Sequence, residues 1–79
     1  MMLTKARITV LDGAEAGLTL EVQTRDLSMS GICFLLKQEL RVGQTCRIDI
    51  PGQKARTAEV IRSRTLSTGK FEMALQYRA

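Results

Sequence analysis

Large apolar side chains recur at every second position over much of this chain, and no stretch shows the three-to-four spacing of an amphipathic helix. In Phe71-Glu72-Met73-Ala74-Leu75-Gln76-Tyr77 every odd position but none of the even ones is large and apolar, which predicts a strand with one face on a core. Leu18-Thr19-Leu20-Glu21-Val22-Gln23 repeats the pattern, as does Cys46-Arg47-Ile48-Asp49-Ile50, with Arg47 and Asp49 on the solvent face. Arg7-Ile8-Thr9-Val10-Leu11 is rich in β-branched residues and stops at the turn pair Asp12-Gly13; with Gly17 closing the loop it forms a first hairpin with the strand that follows. Ile32-Cys33-Phe34-Leu35-Leu36 is a continuous apolar run, short for a helix and consistent with a strand covered on both sides. Lys37 to Arg41 has helical propensity but is too short to hold without packing, so it reads as a loop ended by Val42-Gly43. Pro51-Gly52 predicts a tight turn between a strand at 45–50 and a long one at 54–65, and Ser67-Thr68-Gly69-Lys70 turns the chain into the last strand.

Six short strands in an open sheet would leave exposed edges, whereas closure into a barrel removes them and creates one compact core. The expected architecture is all-β, a small six-stranded antiparallel barrel occupying residues 1–79 as a single domain without repeats or linkers. A chain of 79 residues buries about 60–65% of its unfolded surface, too little for a large enzyme cleft. No run approaches the roughly 18 apolar residues of a membrane span, and no signal peptide is visible, so the expected location is the cytoplasm, with no membrane partner.

The net charge of +4 is unevenly placed. Residues 1–40 carry four basic and five acidic groups, and residues 41–79 carry eight and three, so the second half could attract an anionic partner or simply confer solubility. The two cysteines, Cys33 and Cys46, lie in apolar contexts without CxxC spacing and without any histidine in the chain, which supports neither a metal site nor a Cys/His nucleophile; both are expected in the core. Asp26 has no partner carboxylate nearby, Ser28 has no base, and no phosphate-loop spacing occurs, so catalysis is not expected and neither is a cofactor. A basic small barrel is also a format of nucleic-acid binders, with Arg56, Arg62, Arg64 and Lys70 as a phosphate-facing set. Such binders need aromatic stacking platforms, however, and Phe71 and Tyr77 alternate inward with Met73 and Leu75, which argues against nucleic acid.

Alternation alone does not explain Thr24-Arg25-Asp26-Leu27-Ser28-Met29-Ser30-Gly31. Asp and Ser hydrogen-bond locally to backbone, and Gly permits positive φ or close backbone approach, so the segment reads as a shaped turn. It is either an ordinary connection, with Asp26 and Ser28 satisfying exposed N–H groups, or a ligand site.

Asp26-Leu27-Ser28-Met29-Ser30-Gly31 resembles the [Asp/Asn]-x-Ser-x-x-Gly motif of PilZ domains, bacterial receptors for cyclic di-GMP. The similarity continues through the apolar run, through Leu40-Arg41-Val42-Gly43-Gln44 ahead of Ile48-Asp49-Ile50, and through Ala58 to Arg64 and Gly69 to Tyr77, which look like the last two barrel strands of that family. The resemblance implies a regulatory, non-catalytic barrel in which Asp26, Ser28 and Gly31 line a nucleotide site at one barrel end, with Arg25 and Lys5 or Arg7 supplying charge. An aspartate can accept from the donor edge of guanine or orient an arginine, a serine hydroxyl can bond phosphate, and a glycine lets backbone approach the ligand.

Members of the family usually carry an Arg-x-x-x-Arg pair ahead of the first strand, and this chain has none: Lys5 and Arg7 are spaced by two, and Lys37 and Arg41 follow the motif. That departure implies weak or absent nucleotide binding by this chain alone. Either an arginine pair lies upstream of these residues, or the barrel serves a protein partner without nucleotide. The helix that often follows the barrel is also lacking in the sequence, which leaves an apolar opening that a second copy could cover in a homo-oligomer.

Overall fold

A computed structural model describes residues 4–78, and within them every regular element is a strand. The strands are β1 (Lys5–Val10), β2 (Thr19–Leu27), β3 (Gly31–Leu36), β4 (Thr45–Asp49), β5 (Arg56–Thr65) and β6 (Phe71–Tyr77). They close into a barrel in the order β1-β2-β3-β6-β5-β4, with every neighbouring pair antiparallel. The expected six-stranded antiparallel barrel is therefore the fold.

Alternation builds the interior. Ile8 and Val10 from β1, Phe34 from β3, Cys46 and Ile48 from β4, Val60 from β5, and Met73 and Leu75 from β6 are fully buried. Phe71 and Tyr77 pack against this cluster as partly buried flanks. Leu40, from the β3–β4 loop, is also fully buried and plugs one end of the barrel. There the buried Gln44 amide ties two connections together: Arg41 N–H donates to its Oε1 at 2.7 Å, and its Nε2 donates to Glu15 Oε1 at 3.1 Å and to the Asp12 carbonyl at 3.4 Å. At the opposite end lie the start of β1, the β2–β3 and β4–β5 turns and the end of β6.

Two β-bulges interrupt the alternation. Thr24 pairs with Phe34 but Asp26 pairs with Cys33, so Arg25 is an extra residue in β2. Likewise Val60 pairs with Leu75 but Arg62 pairs with Ala74, so Ile61 is extra in β5. Each extra residue resets which face the following side chains occupy. Val22 and Thr24 point inward, and strict alternation would send Asp26 after them; the bulge sends it out. In β5, Ala58 and Val60 point inward, and the bulge turns Arg62 outward and Ser63 inward, opposite Met73.

Three sequence expectations need correction. The segment from Thr24 is not all turn: β2 runs through Asp26 to Leu27, and the parity break read as a turn is the bulge at Arg25. The run Ile32–Leu36 is not covered on both sides, because Ile32, Phe34 and Leu36 take the inward parity and leave Cys33 and Leu35 half-buried on the outer wall. Cys33 is therefore not a core residue, whereas Cys46 is.

Candidate functional site

The bulges bring four side chains into one row on the outer wall. Reading across paired positions, Asp26 on β2 faces Cys33 on β3, Cys33 faces Ala74 on β6, and Ala74 faces Arg62 on β5. The small Cys33 and Ala74 make a low floor between a carboxylate and a guanidinium. With strands spaced about 4.8 Å apart, the backbone positions of Asp26 and Arg62 lie roughly 14 Å apart along the wall, and no ion pair joins their side chains. A depression of about 190 Å³ occupies this place, lined by Asp26, Ser28, Gly31, Cys33, Ala74 and Arg62, with Ile32 and Leu75 beneath. Asp26 is exposed and takes part in no ion pair among the described residues.

Ser28 and Gly31 also line the depression, but their polar groups serve the turn. Ser28 N–H donates to the Gly31 carbonyl at 3.0 Å, and Gly31 N–H donates back to Ser28 Oγ at 3.2 Å. Ser28 Oγ also lies 3.2 Å from Ser30 Oγ, and Tyr77 N–H donates to the Ser30 carbonyl at 2.9 Å, which ties the turn to the end of β6. Of the two conformational reasons for a glycine at 31, close approach is the operative one. Its φ is not positive, and a Cβ there would lie 2.3 Å from the Leu75 carbonyl oxygen.

Beside the row runs a satisfied charge network. Glu72, two residues along β6 from Ala74, takes Arg25 at 3.1 Å and Arg64 at 3.2 Å. Arg25, placed by sequence among the site residues, is thus engaged with Glu72 at the edge of the depression rather than free within it. Lys5 and Arg7 lie apart from it: with Glu21, Asp49, Pro51 and Gly52 they line a separate depression of about 450 Å³, and Arg7 is ion-paired with Glu21 at 3.4 Å. A third depression, of about 380 Å³, adjoins the motif on its other side and shares Ser28 with it, lined by Leu27, Met29, Gln53, Arg56 and Tyr77. There the Arg56 guanidinium stacks 3.8 Å from the centre of the Tyr77 ring.

Burial pushes the Cys33 thiol up from its ordinary range, and nearby Glu72 adds to the effect against the pull of Arg25 and Arg62. The floor of the depression is therefore neutral at physiological pH, and the charges belong to its rim. The described residues contain no group of three potential metal ligands, and none of their elements is a helix long and apolar enough to cross a membrane.

Arg62 and the Cys33–Ala74 floor are absent from the sequence-level site, which treats Arg62 only as one of several strand charges. The signal that could have found Arg62 is local: Val60-Ile61 places two apolar residues together, and Arg62-Ser63-Arg64 follows in shifted parity, the mark of a bulge.

Neither a curated protein nor a solved structure matches the chain. The family model of the PilZ domain does, over residues 2–79, nearly the whole length on which motif, strand order and turns resemble that family. The chain belongs to the PilZ domains, non-catalytic binding domains of the cyclic di-GMP receptor type.

Proposed function

We propose that this chain is a regulatory receptor module that takes cyclic di-GMP weakly at the Asp26 end of the β2–β3 rim. The observation that carries this reading is the bulge at Arg25, which turns Asp26 outward at a depression it shares with Ser28 and Gly31 and leaves its carboxylate uncommitted. A carboxylate so placed accepts from the N1–H and amino donors of guanine. Weakness follows from two features. A depression of about 190 Å³ falls below the roughly 300–1,000 Å³ of sites that enclose a small ligand, so it seats part of a dinucleotide and leaves the rest on the surface. The chain also has no Arg-x-x-x-Arg pair, and losing two charge-assisted bonds at about 1.5–3 kcal/mol each lowers affinity by roughly 10²- to 10⁴-fold.

Calorimetric titration with cyclic di-GMP tests the reading. Weak saturable heat, lost in Asp26→Ala with the melting temperature within a few degrees of the parent, is the expected result. Absence of heat at near-millimolar ligand retires the receptor role.

A second reading has its own support. Met29 is 93% exposed at the tip of the turn, and Leu27 lies beside it against Arg56 and Tyr77. An apolar tip at a barrel mouth suits a protein partner, a second copy included, and this reading takes over if the titration is silent.

A further inference from the structure

Arg62 is singular among the arginines of its wall. Arg25 and Arg64 are held by Glu72, Arg78 is ion-paired with Glu59, and Arg56 lies over Tyr77. Arg62 has no ion pair among the described residues, and it lines the same depression as Asp26 from the opposite end of the row.

Its direction is imposed at a local cost. Without the bulge Arg62 would follow Ala58 and Val60 into the core and Ser63 would face out; with it, Arg62 faces out and the Ser63 hydroxyl is buried without a hydrogen-bond partner. A solvated surface charge does not account for that buried hydroxyl. Bulges that re-aim one side chain gather beside binding sites, and here two of them, on strands separated by β3 and β6, aim opposite charges at one shallow floor.

We propose that Arg62 is the anion-binding group of this site, gripping a phosphodiester of the same cyclic dinucleotide whose guanine edge meets Asp26. The planar fork of a guanidinium suits two phosphate oxygens at once, and its charge is permanent. Asp26 and Arg62 form no ion pair with each other, so both remain available to a ligand that carries hydrogen-bond donors at one part and negative charge at another. Arg62 thus supplies from β5 part of what an Arg-x-x-x-Arg pair would supply. This assignment rests on the receptor reading above.

The test compares cyclic di-GMP binding by the whole chain, Arg62→Ala, Arg62→Lys and Arg47→Ala at low and high salt. Arg47, held by Asp49 on β4, serves as a control of equal charge change away from the site. Arg62→Ala is expected to weaken binding at least tenfold and to flatten its salt dependence, Arg62→Lys to recover part of both, and Arg47→Ala to stay within twofold of the parent. If the parent binds, Asp26→Ala abolishes binding and Arg62→Ala matches the parent at both salts, the Arg62 role is overturned while the receptor reading stands. If the parent itself shows no binding at near-millimolar ligand, both fall together. Arg62 is exposed and unpaired, so its variants should melt within a few degrees of the parent, and any affinity change reports the site rather than the fold.

Discussion

Gly31 opens β3 beside β6, and what a side chain there would meet is backbone. A methyl group at 31 would meet the Leu75 carbonyl at 2.3 Å, and neither strand can withdraw without breaking its ladder. Gly31→Ala should therefore destabilise the barrel by about 1–3 kcal/mol, and thermal unfolding should fall by about 4–8 °C for each kcal/mol. An unchanged melting temperature would show that the crossing is looser than described. Cys46 offers a second residue-scale test, through pH. Burial, with Asp12 adding a smaller push, raises its thiol from 9.0 to about 11. Below pH 9 the folded and unfolded chains both hold this proton and stability is unaffected by it. Between pH 9 and 11 the unfolded chain releases a proton that the folded chain keeps, so stability falls as pH rises, by at most about 1.4 kcal/mol per pH unit from this group. Cys33 and Tyr77, also raised mainly by burial, act in the same direction. Denaturant unfolding across that window should show the fall, and Cys46→Ala should make it shallower; an equal fall in that variant would assign the effect elsewhere.

The strands most regular in sequence are the ones that sequence alone locates well. β6 matches its expected bounds of 71–77, and Phe71, Met73, Leu75 and Tyr77 share the inward face because nothing interrupts their period of two. β2 and β5 are harder, since a bulge inverts the pattern midway and periodicity has no means of counting an unpaired residue. The candidate site lies on those two inversions. Asp26, Ser28 and Gly31 stand out as a motif, but Arg62 is 31 residues or more from each of them in the chain, and only the barrel closure that sets β6 between β3 and β5 brings it into their row. The Cys33 misreading has the same origin, because an apolar run does not declare which of its alternate members face out. The β5 bulge also leaves a mark in stability. Ser63→Ala removes a buried hydroxyl that lacks a partner, and we expect it to raise stability by about 1 kcal/mol in denaturant unfolding; a loss of stability would mean that the hydroxyl is bonded after all.

At the scale of the whole barrel, the two ends are built differently. At the end formed by the β1–β2 and β3–β4 connections Leu40 plugs the core and the Gln44 amide ties the two loops beneath a depression of about 360 Å³, and the motif end carries depressions on three sides, two of which meet at Ser28. The barrel holds the site through its closure, since the four strands of the row are neighbours only when β3, β6 and β5 follow one another around the wall. Nitrogen–proton correlation spectra recorded during titration with cyclic di-GMP test this placement most directly. The backbone amides of Asp26, Cys33, Ala74 and Arg62 should shift together along one binding curve, while Lys5, Arg7 and Gly52 stay in place. Shifts gathered around Lys5, Arg7 and Gly52, or a spectrum unmoved at near-millimolar ligand, would contradict it.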